Sequence, residues 1–256
     1  MNVIAITQAR TGSTRLPNKI LKQIEKTSLL EIHLNRVLKA KKIDALIVAT
    51  TTNSKDIAIV ELCEKHNTQV FRGCENDVLD RFYKAANQLN PNYVVRLTSD
   101  CPLIDGSLID ELIEYAISND LDYVSNTLEE NYPDGQDIEV FKFSALEKAW
   151  KNAVLKSERE HVTPYIYNNS TFKGGNVFSA KNYSNTTKSY KDVRLTVDEP
   201  KDFSVIELII GNLGLEKTWQ EYAEFYLKTP SIKQLNQHHI RNEGYIKSLK
   251  KDICEK

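Results

Sequence analysis

Short apolar runs alternating with stretches of helical spacing constrain this chain more than any other feature. Val3-Ile4-Ala5-Ile6 and Ala45-Leu46-Ile47-Val48-Ala49-Thr50 read as buried strands, and between them Leu29, Leu30, Ile32, Leu34, Val37 and Leu38 recur at helical spacing. Ile57, Val60, Leu62 and Cys63 predict a second helix and Gln69-Val70-Phe71 a short strand. Val78 to Leu89 predicts a third helix, which Asp77 is placed to cap, and Tyr93-Val94-Val95-Arg96-Leu97 is the next strand. Strands that are apolar at nearly every position must be covered on both faces, which calls for helices above and below a mostly parallel sheet. The expected fold is therefore α/β, Rossmann-like (GT-A-like), within a single domain over residues 1–256, a length that buries a substantial core.

From residue 120 the spacing is less regular. A strand near Tyr123-Val124, a Tyr132-Pro133-Asp134-Gly135 turn, a strand at Ile138 to Phe141 and a helix from Ala145 to Leu155 read as a small inserted lobe spanning 120–190. Thr171 to Phe178 is expected to form another strand, and Asp192 to Val197 to return the chain to the main sheet. Pro200 then suits the first turn of a helix through Ile210. Trp219 to Leu227 and Tyr245 to Leu249 are the helical stretches of the C-terminal part.

The first strand runs into Gln8-Ala9-Arg10-Thr11-Gly12-Ser13-Thr14-Arg15-Leu16-Pro17-Asn18-Lys19. A buried strand delivers such a loop to the carboxyl edge of the sheet, where ligands bind. There Gly12 lets backbone N–H groups turn toward an anion. Arg10 and Arg15 can each grip phosphate oxygens with paired hydrogen bonds, and Lys19 acts as a point charge able to follow a leaving group. Gln8, Ala9, Arg10, Gly12, Ser13 and Lys19 are thus candidates to bind a nucleotide triphosphate. Neither the Walker pattern nor the dinucleotide Gly-x-Gly-x-x-Gly occurs in the chain, so the site is rich in cations rather than glycines.

Asp100 follows a buried strand, and Cys101-Pro102 stops the ladder there, leaving a carboxylate at the sheet edge. Magnesium takes one or two carboxylates together with phosphate oxygens and water, and Asp198, just past another expected strand, is a second ligand candidate or else a helix cap. Arg96 and Thr98 share one face of their strand. An arginine on an otherwise apolar strand needs a partner, either a structural carboxylate or a ligand. Asp80-Arg81 reads either as a surface ion pair or as part of the site. Asp137 and Glu139 share one strand face, Glu158 lies one turn before His161, and Arg194 could meet an acceptor carboxylate with two parallel bonds.

The loop resembles the signature of the cytidylyltransferases that activate acidic sugars, those acting on acylneuraminates and deoxy-octulosonates, and most closely the spore-coat polysaccharide (SpsF-like) branch. Further matching segments follow in order: Arg72-Gly73 with Asp77-Val78-Leu79-Asp80-Arg81, Val95-Arg96-Leu97-Thr98-Ser99-Asp100-Cys101-Pro102-Leu103-Ile104, Tyr132-Pro133-Asp134-Gly135, Glu158-Arg159-Glu160-His161-Val162-Thr163-Pro164, and Arg194-Leu195-Thr196-Val197-Asp198-Glu199-Pro200. The resemblance runs to about residue 210. It implies transfer of CMP from CTP to an acidic sugar with release of pyrophosphate. It also implies a Mg2+ ion held by Asp100 and Asp198, Arg81 near the nucleotide base with Asp80 beside it, and Glu139 and His161 on the acceptor side. Relatives usually carry an amide residue where this chain has Thr98. They often dimerise through the lobe between the two aspartates, so a homodimer through 120–190 is expected.

With 34 Lys+Arg against 35 Asp+Glu, no global field favours nucleic acid or a membrane surface. No run approaches the roughly eighteen apolar residues of a membrane span, and Met1-Asn2-Val3 lacks the features of a secretory signal, so a cytoplasmic protein is expected. Cys63, Cys74, Cys101 and Cys254 lack paired spacing and read as reduced thiols. Three rivals remain. They are a nucleotidyltransferase with a phosphate-ester acceptor, a nucleotide-sugar glycosyltransferase using Asp120-Leu121-Asp122 (read here as a turn), and an inactive nucleotide fold.

Overall fold

Strand β1 (Val3–Gln8) sends Val3 and Ala5 into the core on one side of the sheet and Ile4 and Ile6 into the core on the other. That two-sided burial organises the whole computed structural model, which describes residues 1–185 and 187–254. Residue 186, within the 120–190 stretch, and residues 255–256, at the end of the expected 1–256 domain, lie outside the described residues. A small hairpin of β2 (Gln23–Ile24) and β3 (Thr27–Ser28) follows the first loop. The other strands are β4 (Ala45–Thr51), β5 (Gln69–Gly73), β6 (Tyr93–Thr98), β7 (Tyr123–Ser125), β8 (Glu139–Lys142) and β9 (Ala180–Asn182). The main sheet has seven strands in the order β5-β4-β1-β6-β8-β7-β9. Only β8 opposes its neighbours; every other adjacent pair is parallel.

One face is covered by helices Leu29–Val37, Gly106–Ser118, Pro200–Leu213 and Trp219–Lys228, the other by Val78–Asn87 and Phe143–Asn152. Each fully buried Ile, Leu or Val of these faces contributes about 1.5–3 kcal/mol of transfer free energy. Local signals agree with the packing: Ser28 and Glu31 form a capping box on the first helix, and Asp77 caps Val78–Asn87 through the Asp80 N–H. Pro200 sits in the first turn of its helix.

Residues 120–190 contribute three of the seven strands, so this stretch extends the sheet edge instead of standing apart from it. Two expected strands do not form. Thr171 to Phe178 is a short 3-10 turn (Thr171–Lys173) tied by a single bridge from Ser170 to Phe178. Asp192 to Val197 does not enter the sheet. It lies along the loops at the sheet edge, with one bridge between Asp134 and Arg194 and a bond from Val197 N to Asp100 O at 2.8 Å. Gly135, at φ +107°, permits that approach: a Cβ there would stand 2.6 Å from the Leu195 carbonyl carbon. The consequence is functional, because the bond from Val197 to Asp100 brings Asp198 beside Asp100.

Candidate active site

The parallel strands open at their carboxyl ends onto a cleft of about 1360 Å³. In-register pairing of Gln8 with Thr98 sets the loops after β1 and β6 side by side at its floor. Asp56 secures the base of the first loop, with its Oδ1 accepting from Thr11 N at 2.8 Å and from Thr11 Oγ1 at 2.7 Å. Burial pushes the Asp56 carboxyl up, but the hydrogen bonds from Thr51 and Thr11 hold it below its ordinary value. Gln8, Ala9, Arg10, Gly12, Ser13, Arg15 and Lys19 all line the cleft.

The charges in this loop are placed differently from the expectation of three free phosphate ligands. Lys19 is buried, and its Nζ donates to Asp100 Oδ2 at 2.7 Å and to Asp198 Oδ1 at 2.8 Å. Burial works against the ammonium, but the two carboxylates win and raise Lys19 to about 12. Asp100 is likewise disfavoured by burial and yet drawn down to about 2 by Lys19. Arg15 meets Asp198 and Glu199, each at 3.1 Å, and Glu243 at 3.5 Å. Arg10 reaches Glu75 at 3.6 Å from a half-exposed position. Gly12 does not take the left-handed conformation, and a Cβ there would meet only Glu75 Oε1 at an ordinary 3.5 Å, so the loop itself does not require glycine.

Asp100 and Asp198 converge on one cation, and their hard oxygen donors fit a magnesium ion, which needs no more than two carboxylates when phosphate and water complete its shell. No cluster of three or more His, Cys, Asp or Glu suited to a metal occurs among the described residues, so there the candidate is this pair. Asp198 is not a helix cap: Asp202, reaching back, accepts from the N–H groups of both Asp198 and Glu199.

Arg96 finds a carboxylate. It pairs across the strands with Glu139, which also accepts from Tyr123 Oη and from Thr163 Oγ1 at 2.6 Å, and its Nη2 reaches Gln8 Oε1 at 3.4 Å. Glu139 lines the cleft, but its oxygens are occupied, so it positions Arg96 where an acceptor contact was expected. The Nε atoms of Arg96 and Arg81 are both buried without a partner. Arg81 lines the cleft and donates to Cys74 O at 2.6 Å. Asp80 does not share its place: one position along the helix it turns away, accepting from Trp150 Nε1 at 2.9 Å and pairing with Lys84 at 2.8 Å. Thr98 lines the cleft with its hydroxyl 3.3 Å from Cys101 Sγ.

Arg194, expected to hold an acceptor carboxylate, spends its paired contact inside the protein. Its Nε and Nη2 donate to the fully buried Asp202 at 2.9 and 2.8 Å, and Nη1 donates to Asp134 at 2.7 Å. His161 lines the cleft, but its neighbour is not Glu158, which caps its own helix through Val154 N and Leu155 N. His161 Nε2 instead lies 3.0 Å from Ser248 Oγ in the C-terminal helix Glu243–Cys254. Burial pushes this imidazole below its ordinary value. No local signal in the sequence points to that helix at the site, where Tyr245, Ser248 and Lys251 join the lining. Asp120-Leu121-Asp122 is outside the cleft, a turn whose carboxylates pair with Lys142.

A loop of cations against a carboxylate pair at the edge of a parallel sheet is the frame of a nucleotidyltransferase, and comparison with known proteins decides which kind. The family model for cytidylyltransferases matches residues 4–244. The chain belongs to the cytidylyltransferase family. It is 33% identical over 218 residues to the spore coat polysaccharide biosynthesis protein SpsF of Bacillus subtilis, covering 83% of this chain and 88% of that protein. It is 44% identical over 248 residues to an uncharacterised Methanocaldococcus jannaschii protein, covering 96% and 98%. Among solved structures, a cytidylyltransferase from Leptospira borgpetersenii superposes with a TM-score of 0.86 at 35% identity, over 94% of this chain and 100% of that one. As a cytidylyltransferase the chain is an enzyme of nucleotidyl transfer, and its sheet is the parallel α/β framework of that family.

Proposed function

We propose that this enzyme transfers the cytidylyl group of CTP to an acidic sugar or a related anionic acceptor, releasing pyrophosphate, in the synthesis of a surface polysaccharide or glycoconjugate. The observation that carries the reading is the buried Lys19 held between Asp100 and Asp198 at the mouth of the phosphate loop. Similarity to SpsF, a spore coat polysaccharide biosynthesis protein, supports the pathway class.

In this reading an acceptor hydroxyl attacks the α-phosphorus of CTP in line with the departing pyrophosphate. The protein's share is positioning and charge stabilisation. Arg10 and Arg15 take the outer phosphates, and Lys19 neutralises charge developing on the leaving oxygen. Arg81, with its unpartnered Nε, faces the nucleoside, and Arg96, held by Glu139 and Gln8, faces the junction of donor and acceptor. Asp100 and Asp198 would hold the magnesium, which when bound orients the α-phosphate and acidifies the attacking hydroxyl. The reading further includes a cytoplasmic enzyme and a homodimer joined through residues 120–190. No helix among the described residues is long and apolar enough to cross a membrane.

A phosphate-ester acceptor is the second reading. Arg159 and Arg194 are committed to Asp77 and Asp202, yet Lys173 and Lys251 also line the cleft and suit phosphate as well as carboxylate. Pyrophosphate release from CTP, measured with ulosonic acids and with sugar 1-phosphates, separates the two. Release with neither class would refute transfer to an anionic acceptor.

A further inference from the structure

The C-terminal helix Glu243–Cys254 is amphipathic in the wrong sense for an element that serves packing alone. Ile246, Leu249 and Ile253 point to solvent at 41%, 37% and 74% exposure, whereas Tyr245, Ser248 and Lys251, recurring every three residues, line the cleft. A helix held for stability turns its apolar stripe inward. This one turns polar groups inward, and it spans the cleft from the phosphate loop, where Glu243 meets Arg15, to the segment 157–161, where Asp252 accepts from Ser157 N at 3.3 Å.

Its contacts prepare His161. The Tyr245 ring stands edge-on to the imidazole at 5.0 Å. Ser248 Oγ lies 2.9 Å from Glu160 Oε2, 3.1 Å from Gly244 O and 3.0 Å from His161 Nε2. A hydroxyl has one proton, which the carboxylate or the carbonyl takes, so its oxygen accepts from His161 Nε2–H. In its neutral form the ring then keeps a lone pair on Nδ1, for which no protein hydrogen-bond partner occurs among the described residues. The charged groups facing His161 are Glu160, Arg96, Glu139 and Asp252.

We propose that this helix selects the acceptor: Tyr245, Ser248 and Lys251 form, with His161, the wall against which a hydroxylated anionic acceptor binds. Lys251 meets the anionic group, and the His161–Ser248 pair meets a hydroxyl. The family model matches residues 4–244, so it assigns no role to Tyr245, Ser248 or Lys251. The inference rests on the proposed transfer from CTP to an anionic acceptor.

The test is initial-rate pyrophosphate release with CTP and magnesium, using 3-deoxy-manno-octulosonate, N-acetylneuraminate and glucose 1-phosphate as probes. Wild type is compared with Lys251→Gln and Ser248→Ala, and melting temperatures verify folding; Lys251 is exposed, so its variant keeps the fold. On the probe that wild type uses, Lys251→Gln raises the acceptor KM roughly tenfold or more, the size of one charged hydrogen bond, while the CTP KM stays within about twofold. Ser248→Ala raises the acceptor KM in the same direction. Unchanged acceptor KM in both variants, or equal rises for CTP, overturns the inference alone. Wild type that releases no pyrophosphate with any probe overturns it together with the proposed transfer, and the two failures are told apart by whether wild type itself turns over.

Discussion

Asp202 is the residue whose loss should damage this enzyme most without touching substrate. Its carboxylate is fully buried and accepts five hydrogen bonds: from Arg194 Nε and Nη2, from the N–H groups of Asp198 and Glu199, and from Asn236 Nδ2, all at 2.8–3.0 Å. Asp202→Ala leaves a buried guanidinium with Asp134 at 2.7 Å from its Nη1 and Asp198 at 3.6 Å from its Nη2, and strands two N–H groups at a helix start. Removing one partner of a buried pair costs about 3–5 kcal/mol. For a chain of this size each kcal/mol lowers the melting temperature by about 2–4 °C, so a fall of roughly 6–20 °C is expected in a thermal melt. The same carboxylate fixes the turn carrying Asp198, so pyrophosphate release should fall as well, even at a temperature where the variant is folded. Burial alone would raise the Asp202 carboxyl, but the bonds from Arg194 bring it below 3.8. A depressed folded value means that this stabilisation is complete above the unfolded value and is lost as pH falls through the folded one. Wild type should therefore lose stability below about pH 4 more steeply than the variant. A variant that melts within about 1 kcal/mol of wild type and retains full activity would refute the account of how Asp198 is positioned.

Three further perturbations separate structural from catalytic charge. Lys19→Ala should lower turnover by about 10²–10³, the scale of one preorganised electrostatic contact, and activity near wild type in a pyrophosphate assay would contradict its role. Asp80→Ala should leave the CTP KM unchanged, because Asp80 turns to Trp150 and Lys84; a large rise would place it back in the site. His33 is fully buried between Thr7 Oγ1 and Cys101 O, and burial lowers it from 6.5 to about 4. Its neutral form is favoured in the fold, so stability is complete above pH 6.5 and declines toward pH 4, by at most about 3 kcal/mol. His33→Gln should flatten that stretch of a stability-versus-pH curve, and an unaltered slope would rule His33 out as its source.

The first hundred residues are legible because each strand is apolar throughout and each helix carries its own stripe and cap, as Val3–Gln8 and Asp77 illustrate. Legibility ends where long-range pairing takes over. Arg194 has the look of an exposed ligand until Asp202 and Asp134 are brought to it, and nothing near Glu139 announces that Arg96, Tyr123 and Thr163 will claim its oxygens. Asp192 to Val197 has strand-like residues, yet its backbone partners are Asp134 and Asp100 in loops, so it forms no ladder. The helix Glu243–Cys254 is legible as a helix, but its apolar residues point outward, which conceals from any pattern argument that its polar stripe faces the cleft. Lys19, Asp100 and Asp198 are each legible as candidates; their meeting at one point depends on the Val197 to Asp100 bond, which no local signal encodes.

The most direct test of the central claim is the melting temperature in magnesium with CTP, UTP, GTP or ATP. A nucleotide present at a hundred times its dissociation constant stabilises the native state by about 2.7 kcal/mol, and the account predicts that shift for CTP and less for the other three. An equal or greater shift with another triphosphate, or no shift with CTP, would contradict it.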